Sequence, residues 1–167
     1  MAIKEQIIKE KLENLGIFDF QGLYKFAHYW LKDEEGYGVT EEKYSEKVSG
    51  NAREISVKWK ATKEVTDYFK IELSLEFEAK EMAEVEVEID GEKKRMNKGK
   101  ISIEIKGNLI KDHKNRWENG NFYIALRDIY DKYIIPGRID ELGKKVTSDV
   151  TSLKEEAKAF LELSAKR

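Results

Sequence analysis

From residue 53 to residue 109 the chain repeatedly alternates apolar and polar residues with a period of two, and nothing else in it constrains the fold as strongly. In REISVKWKA, Ile55, Val57, Trp59 and Ala61 alternate with Glu54, Ser56, Lys58 and Lys60. In FKIELSLEFEA, Phe69, Ile71, Leu73, Leu75 and Phe77 alternate with Lys70, Glu72, Ser74, Glu76 and Glu78. EVEVEI sets Val85, Val87 and Ile89 against three glutamates, and KISIEIKGNL sets Ile101, Ile103, Ile105 and Leu109 against Lys100, Ser102, Glu104 and Lys106. Side chains of a strand point alternately to its two faces, so each run predicts a strand with one dry face and one wet face.

The links between these runs are too short for the crossovers that parallel pairing needs, so antiparallel neighbours are predicted. Asp90-Gly91 is a tight-turn signal. Residues 92–99 read as a short extra strand followed by a turn at Asn97 to Gly99. A weaker strand is predicted over 42–48, turning at Ser49, Gly50 and Asn51. The result is a meander of four to six strands.

Helical spacing flanks the meander. Ile3, Ile7, Ile8, Leu12 and Leu15 predict a helix over 3–15, closed by Gly16. Lys4 and Lys11 interrupt its apolar stripe, which points to a helix, within 1–16, that is peripheral or packs on a partner chain. Asp19 is a candidate N-cap for a helix over 20–33. Within it Phe20, Leu23, Tyr24, Phe26, Ala27, Trp30 and Leu31 share one arc, with Gln21, Lys25, Tyr29 and Lys32 opposite and His28 at the boundary. Such a stripe is expected to pack on Phe69, Leu73, Phe77 and their neighbours. After the strands, a helix is predicted over 120–135, stopping at Pro136-Gly137. Another lies within 149–164, with Val150, Leu153, Ala157, Phe160 and Leu161 on its apolar side, and a short helical turn within 138–148 precedes it. The fold class that follows is α+β: a single domain over 1–167, an antiparallel β-meander with N- and C-terminal helices packed on one face.

Composition removes several functional classes. The 31 basic and 33 acidic residues nearly cancel. That balance supplies no overall field to attract nucleic acid or anionic lipid, so neither nucleic acid nor a membrane is an expected partner. Cysteine is absent, which removes disulfides, thiolate metal sites and cysteine nucleophiles. The charge-interrupted N-terminus has no signal-peptide core and no stretch reaches the length of a membrane span, so a soluble, cytoplasmic protein is expected. Abundant Lys and Glu without Cys resembles the usage of proteins from hot environments.

The familiar catalytic motifs are missing: no glycine-rich phosphate loop, no paired metal-binding histidines, no nucleophile elbow. No cofactor and no metal is implied. The acidic ladder Glu84, Glu86, Glu88 is expected on the wet face, answered by Lys70, Lys100 and Lys106 on neighbouring strands. KDHKNRWENGN, residues 111–121, is the densest polar stretch, with Asp112, His113, Arg116 and Trp117 close together. Adjacent residues on an extended strand point to opposite faces, so Asp112 and His113 are not expected to pair. The helix over 120–135 is apolar on both sides, with Ile124 and Ile135 opposite its main stripe. That pattern marks a buried or an interface helix.

Three functional expectations follow. The first is a non-catalytic interaction or assembly domain, self-associating or binding a protein partner through Ile124, Ile135, Ile8 and Leu12. The second is a small apolar-ligand-binding protein with a cavity between sheet and helices, its mouth lined by Tyr24, Tyr130 and Tyr133; the candidate ligand contacts are Tyr24, His28, Asp112, His113, Arg116 and Trp117. A meander with flanking helices resembles, in architecture alone, the small lipid- and ligand-binding α+β folds. The third is an enzyme using His113 or His28.

Overall fold

The alternating runs become the three central strands of a five-stranded antiparallel sheet. A computed structural model describes residues 2–114, 121–129, 132 and 136–165. In chain order the elements are β1 (Ile3–Phe18), α1 (Phe20–Tyr29), a π-helical turn (Trp30–Glu34), β2 (Gly38–Ser49), β3 (Ala52–Glu64), β4 (Phe69–Ile89), β5 (Glu92–Lys111), α2 (Asn121–Ile129) and α3 (Pro136–Ala165). The sheet order is β1-β5-β4-β3-β2. Four strands form the expected meander, and β1 joins the far side of β5.

The helix predicted over 3–15 is therefore a strand. Residues from Ile3 to Phe18 pair antiparallel with Lys111 to Asn97 of β5. The charges that spoil the helical stripe have places on a strand. Lys4 reaches Glu72 of β4, Lys11 reaches Glu13 on the same face, and Glu10 meets Lys154 of α3 at 3.0 Å. Without β1, the backbone N–H and C=O groups on that side of β5 would lack partners, and pairing them overrides a marginal helical preference. Gly16 closes no helix; it stands opposite Gly99 in the β1–β5 ladder. Residues 92–99 are not a separate strand and turn but the first part of β5.

The inner face of the sheet carries the odd-numbered residues of β3, of β4 as far as Ala79, and of β5, together with Ile8, Glu10 and Leu12 of β1. Ile55, Val57, Trp59, Leu73, Phe77, Ile103 and Ile105 are all buried there. From α1, Leu23 and Ala27 join the same core, with Trp30 and Leu31 just beyond it. Gln21, Lys25, Tyr29 and Lys32 are exposed, as the helical spacing requires. Asp19 caps α1, its carboxylate accepting from the backbone N–H of Gly22 at 3.0 Å.

α3 is one continuous helix, longer than the pattern over 149–164 and absorbing the turn expected over 138–148. Pro136 occupies its first position, where the missing N–H costs nothing. Leu142, Val146, Val150, Leu153, Ala157 and Leu161 form its buried stripe. It lies against β1 and β5, and the approach is close enough to require glycine. A Cβ on Gly107 would stand 2.5 Å from Val146 Cγ1 and 2.8 Å from Val150 Cγ2. Between α3 and the segment after α1 runs a buried polar tie. The Tyr37 hydroxyl donates to Asp149 at 2.6 Å, and Lys145 pairs with the other carboxylate oxygen at 2.9 Å. Burial and the neighbouring carboxylate push the Tyr37 hydroxyl far above its ordinary pKa, so it remains a donor.

One irregularity divides the sheet. Between Lys80 and Ala83 β4 holds one residue more than β5 does opposite it, and Glu81 takes a left-handed φ of 53°. Gly99 faces this bulge; a Cβ there would lie 2.8 Å from each of the carbonyl oxygens of Lys80 and Glu81. The extra residue inverts the alternation. Before it, odd positions face inward; after it, Met82, Glu84, Glu86 and Glu88 do. The acidic ladder is accordingly not on the outer face opposite Lys70, Lys100 and Lys106. Its register partners are Asn97, Arg95 and Lys93.

The outer face holds its own buried carboxylate. Glu72 is 3% exposed, between Lys4 at 2.7 Å and Lys60 at 3.0 Å. Burial opposes its ionisation, but the two ammonium groups outweigh burial and hold its pKa below the ordinary carboxylate value.

Candidate functional site

Beyond the bulge the inner face is no longer sealed. A cleft of about 610 Å³ opens between the start of α1, β2 and the distal parts of β3, β4 and β5. Three buried apolar side chains form its floor: Phe20, Ile55 and Met82. Its rim is polar. Gln21, Glu41, Tyr44, Glu84 and Arg95 are exposed, and Asp19, Tyr24, Arg53 and Asn97 are half-buried.

Local folding explains each position. The N-cap Asp19 ends the turn from β1 into α1, which brings Phe20 and Tyr24 over the sheet. Asn97 anchors that turn from β5, its side-chain oxygen accepting from the Phe20 backbone N–H at 3.1 Å. Glu41 on β2 accepts from the Tyr24 hydroxyl at 2.6 Å and, on the same oxygen, from the Trp59 indole N–H at 3.4 Å. Burial and Glu41 together push the Tyr24 hydroxyl up to about 12, which keeps it protonated at neutral pH. Behind this wall the Trp59 ring packs edge-on with Tyr24, His28 and Phe77 at centroid distances of 4.8, 5.7 and 4.9 Å. Arg53 bridges two strands, donating to Glu46 at 3.3 Å and to Glu84 at 3.2 Å.

Of the residues singled out from the sequence, the cleft takes in only Tyr24. His28 is half-buried and touches the cleft indirectly, through Trp59. Asp112 and His113 stand at the opposite end of β5. Asp112 is buried with a left-handed φ of 53°, whereas the His113 ring donates from Nε2 to the Thr66 carbonyl at 2.8 Å and braces the β3–β4 turn. Neither histidine forms an ion pair with a carboxylate among the described residues. Arg116, Trp117, Ile135, Tyr130 and Tyr133 lie outside the described residues. Leu12 is in the core and Ile8 packs half-buried against it, both on β1, while Ile124 is 39% exposed on α2.

The cleft residues missed from the sequence are Glu41, Tyr44, Arg53, Met82, Arg95 and Asn97. One weak signal exists: the chain has 25 lysines and only 6 arginines, and two of the arginines line this cleft. Arg in place of the habitual Lys marks a position where a planar, multi-donor cation is needed.

The described residues thus combine a five-stranded antiparallel sheet with a cleft that has an apolar floor and a polar rim. Comparison with models of known protein families, with curated proteins and with solved structures finds no match. Among the described residues no helix is long and apolar enough to cross a membrane.

Proposed function

We propose that the chain is a non-catalytic binding protein whose distal cleft takes a small amphipathic molecule. The observation that carries this reading is the cleft itself. Its volume of about 610 Å³ falls within the roughly 300–1,000 Å³ of small-molecule sites. A floor of Phe20, Ile55 and Met82 receives an apolar body, and the ring of polar groups receives a polar end. We infer further that α1 and α3 roof the same face of the sheet. The contacts of α1 with Trp59 and of α3 with Gly107 support this, since both residues occupy inward positions. The roof stops at the bulge, and the cleft is what remains uncovered.

The test is fluorescence titration with N-phenylnaphthylamine, an uncharged amphipathic dye, together with native mass spectrometry of gently purified protein. Wild type is expected to bind the dye with a micromolar Kd (a binding free energy of about −8 kcal/mol). Gln21→Trp and Tyr44→Glu, both on the exposed rim, are each expected to weaken binding while leaving the thermal melt in place. Absence of binding, or binding indifferent to both substitutions, would refute the proposal.

A second reading rests on α2, where Ile124 and Ile129 are 39% and 50% exposed. Exposed β-branched residues on one short helix suit self-association. Light scattering of wild type and Ile129→Glu tests it: the dimer expected for wild type should dissociate in the variant.

A further inference from the structure

The polar groups of the cleft differ in how far their hydrogen-bonding capacity is already used. Asp19 accepts from the Gly22 N–H. Glu41 accepts from Tyr24 and Trp59. Glu84 accepts from Arg53, whose guanidinium is divided between Glu84 and Glu46. Each carboxylate of the rim thus already holds an internal donor, and Arg53 is held between Glu84 on the rim and Glu46 outside it. Arg95 is different. It lines the same cleft, it stands opposite Glu86 in register, and yet it forms no ion pair or hydrogen bond among the described residues. Its five N–H donors are open. Two residues along the same face of β5, the Asn97 side chain is oriented by the Phe20 N–H bonded to its oxygen, which leaves its amide N–H groups as further donors. Unused donors are therefore concentrated on the β5 wall, beside the apolar floor of Phe20, Ile55 and Met82.

We propose that the ligand of this cleft is an anionic amphiphile, a carboxylate or a phosphate or sulfate ester carrying an apolar body, with its head group on Arg95 and Asn97 and its body on Phe20, Met82 and Ile55. The proposal rests on the small-molecule reading above and adds the charge of the ligand. A planar guanidinium presents paired donors to two oxygens of one oxyanion, a geometry that a neutral ligand does not satisfy. The carboxylates that line the cleft, Asp19, Glu41 and Glu84, are each matched to a donor of the protein itself.

Two dyes that share one aromatic framework separate the two claims. Anilinonaphthalene sulfonate carries an anionic group that N-phenylnaphthylamine lacks. Wild type is expected to bind the sulfonate at least about tenfold more tightly than the neutral dye, the size of effect given by hydrogen bonds to a charged group. Arg95→Gln should lose about tenfold for the sulfonate and nothing for the neutral dye, and Arg95→Lys should recover part of the loss; Arg95 is exposed, so both variants are expected to fold. Equal binding of the two dyes by wild type and by Arg95→Gln would overturn the anion proposal and leave the cleft reading standing. Failure of wild type to bind either dye would overturn both. Displacement of the sulfonate by decanoate, decyl phosphate and decanol then separates the sources: decanoate or decyl phosphate displacing it in an Arg95-dependent manner identifies the head group, whereas decanol displacing it equally well would count against any anion.

Discussion

The two ends of the inner face use the same strands and opposite chemistry. At the proximal end, around Gly107, the sheet is so tightly covered that a methyl group has no room between β5 and Val146 and Val150. At the distal end, past Glu81, the face carries Glu84, Glu86 and Arg95 and encloses a cleft. One additional residue in β4 accounts for the change. Had the alternation continued without it, Val85, Val87 and Ile89 would point inward and call for a cover of their own. With it, charged side chains face the cleft, where Glu84, Glu86 and Arg95 stay exposed. Whether a sheet face is a core or a cleft is thus decided here by phase and not by composition.

The comparison can be broken from either end. Gly107→Val should have the largest effect, because the added side chain overlaps α3 in a packed region: a loss of roughly 3 kcal/mol in urea unfolding, shared by every probe of the fold. Tyr37→Phe comes next. It removes the donor that Asp149 holds inside the protein, and leaving a buried carboxylate short of a hydrogen bond costs about 2 kcal/mol. A loss no larger than that of an exposed Tyr29→Phe control would show that the tie between α3 and the turn after α1 contributes nothing. Gly99→Val should act on one end only. The carbonyls of the bulge obstruct its side chain, so hydrogen exchange should show lost protection across 83–98 with protection around Gly107 retained. Uniform loss at both ends would mean that the bulge does not separate them.

The smallest effect is expected from pH. The folded-state pKa of Glu72 is held below its ordinary value by Lys4 and Lys60. Such a group stabilises the protein at pH values above its unfolded pKa, about 4.3, and the contribution is lost as pH falls through the lower, folded value. Wild-type stability should therefore decline on acidification from about pH 5 downward. Glu72→Gln should be less stable at neutral pH and show a shallower acid limb. Parallel acid limbs for the two proteins would assign the decline to other carboxylates.

The legible part of the fold was its alternation. The central strands, the antiparallel pairing, the Asp90-Gly91 turn and the buried stripe of α1 all follow from residue spacing. β1 was hidden because Ile8 and Leu12 suit a helical stripe as well as a strand face; what decides is the open side of β5, about ninety residues away in sequence. The bulge was hidden because EVEVEI reads equally well in either phase, and the choice is made by Gly99 on another strand. The cleft was illegible for a related reason. Its lining spans Asp19 to Asn97, and no two of its decisive groups, Glu41, Arg53, Glu84 and Arg95, are close in sequence. Spacing reports which way a side chain faces along one segment, not which segments meet.

Trp59 packs behind the cleft wall, with its indole N–H bonded to Glu41. That bond makes the ring a gauge. An indole tethered to a rim carboxylate changes its emission when the carboxylate's electric field or hydration changes. With Trp30 and Trp117 replaced by Phe, the protein would carry an intrinsic optical sensor for occupancy of its own cleft, readable without any label.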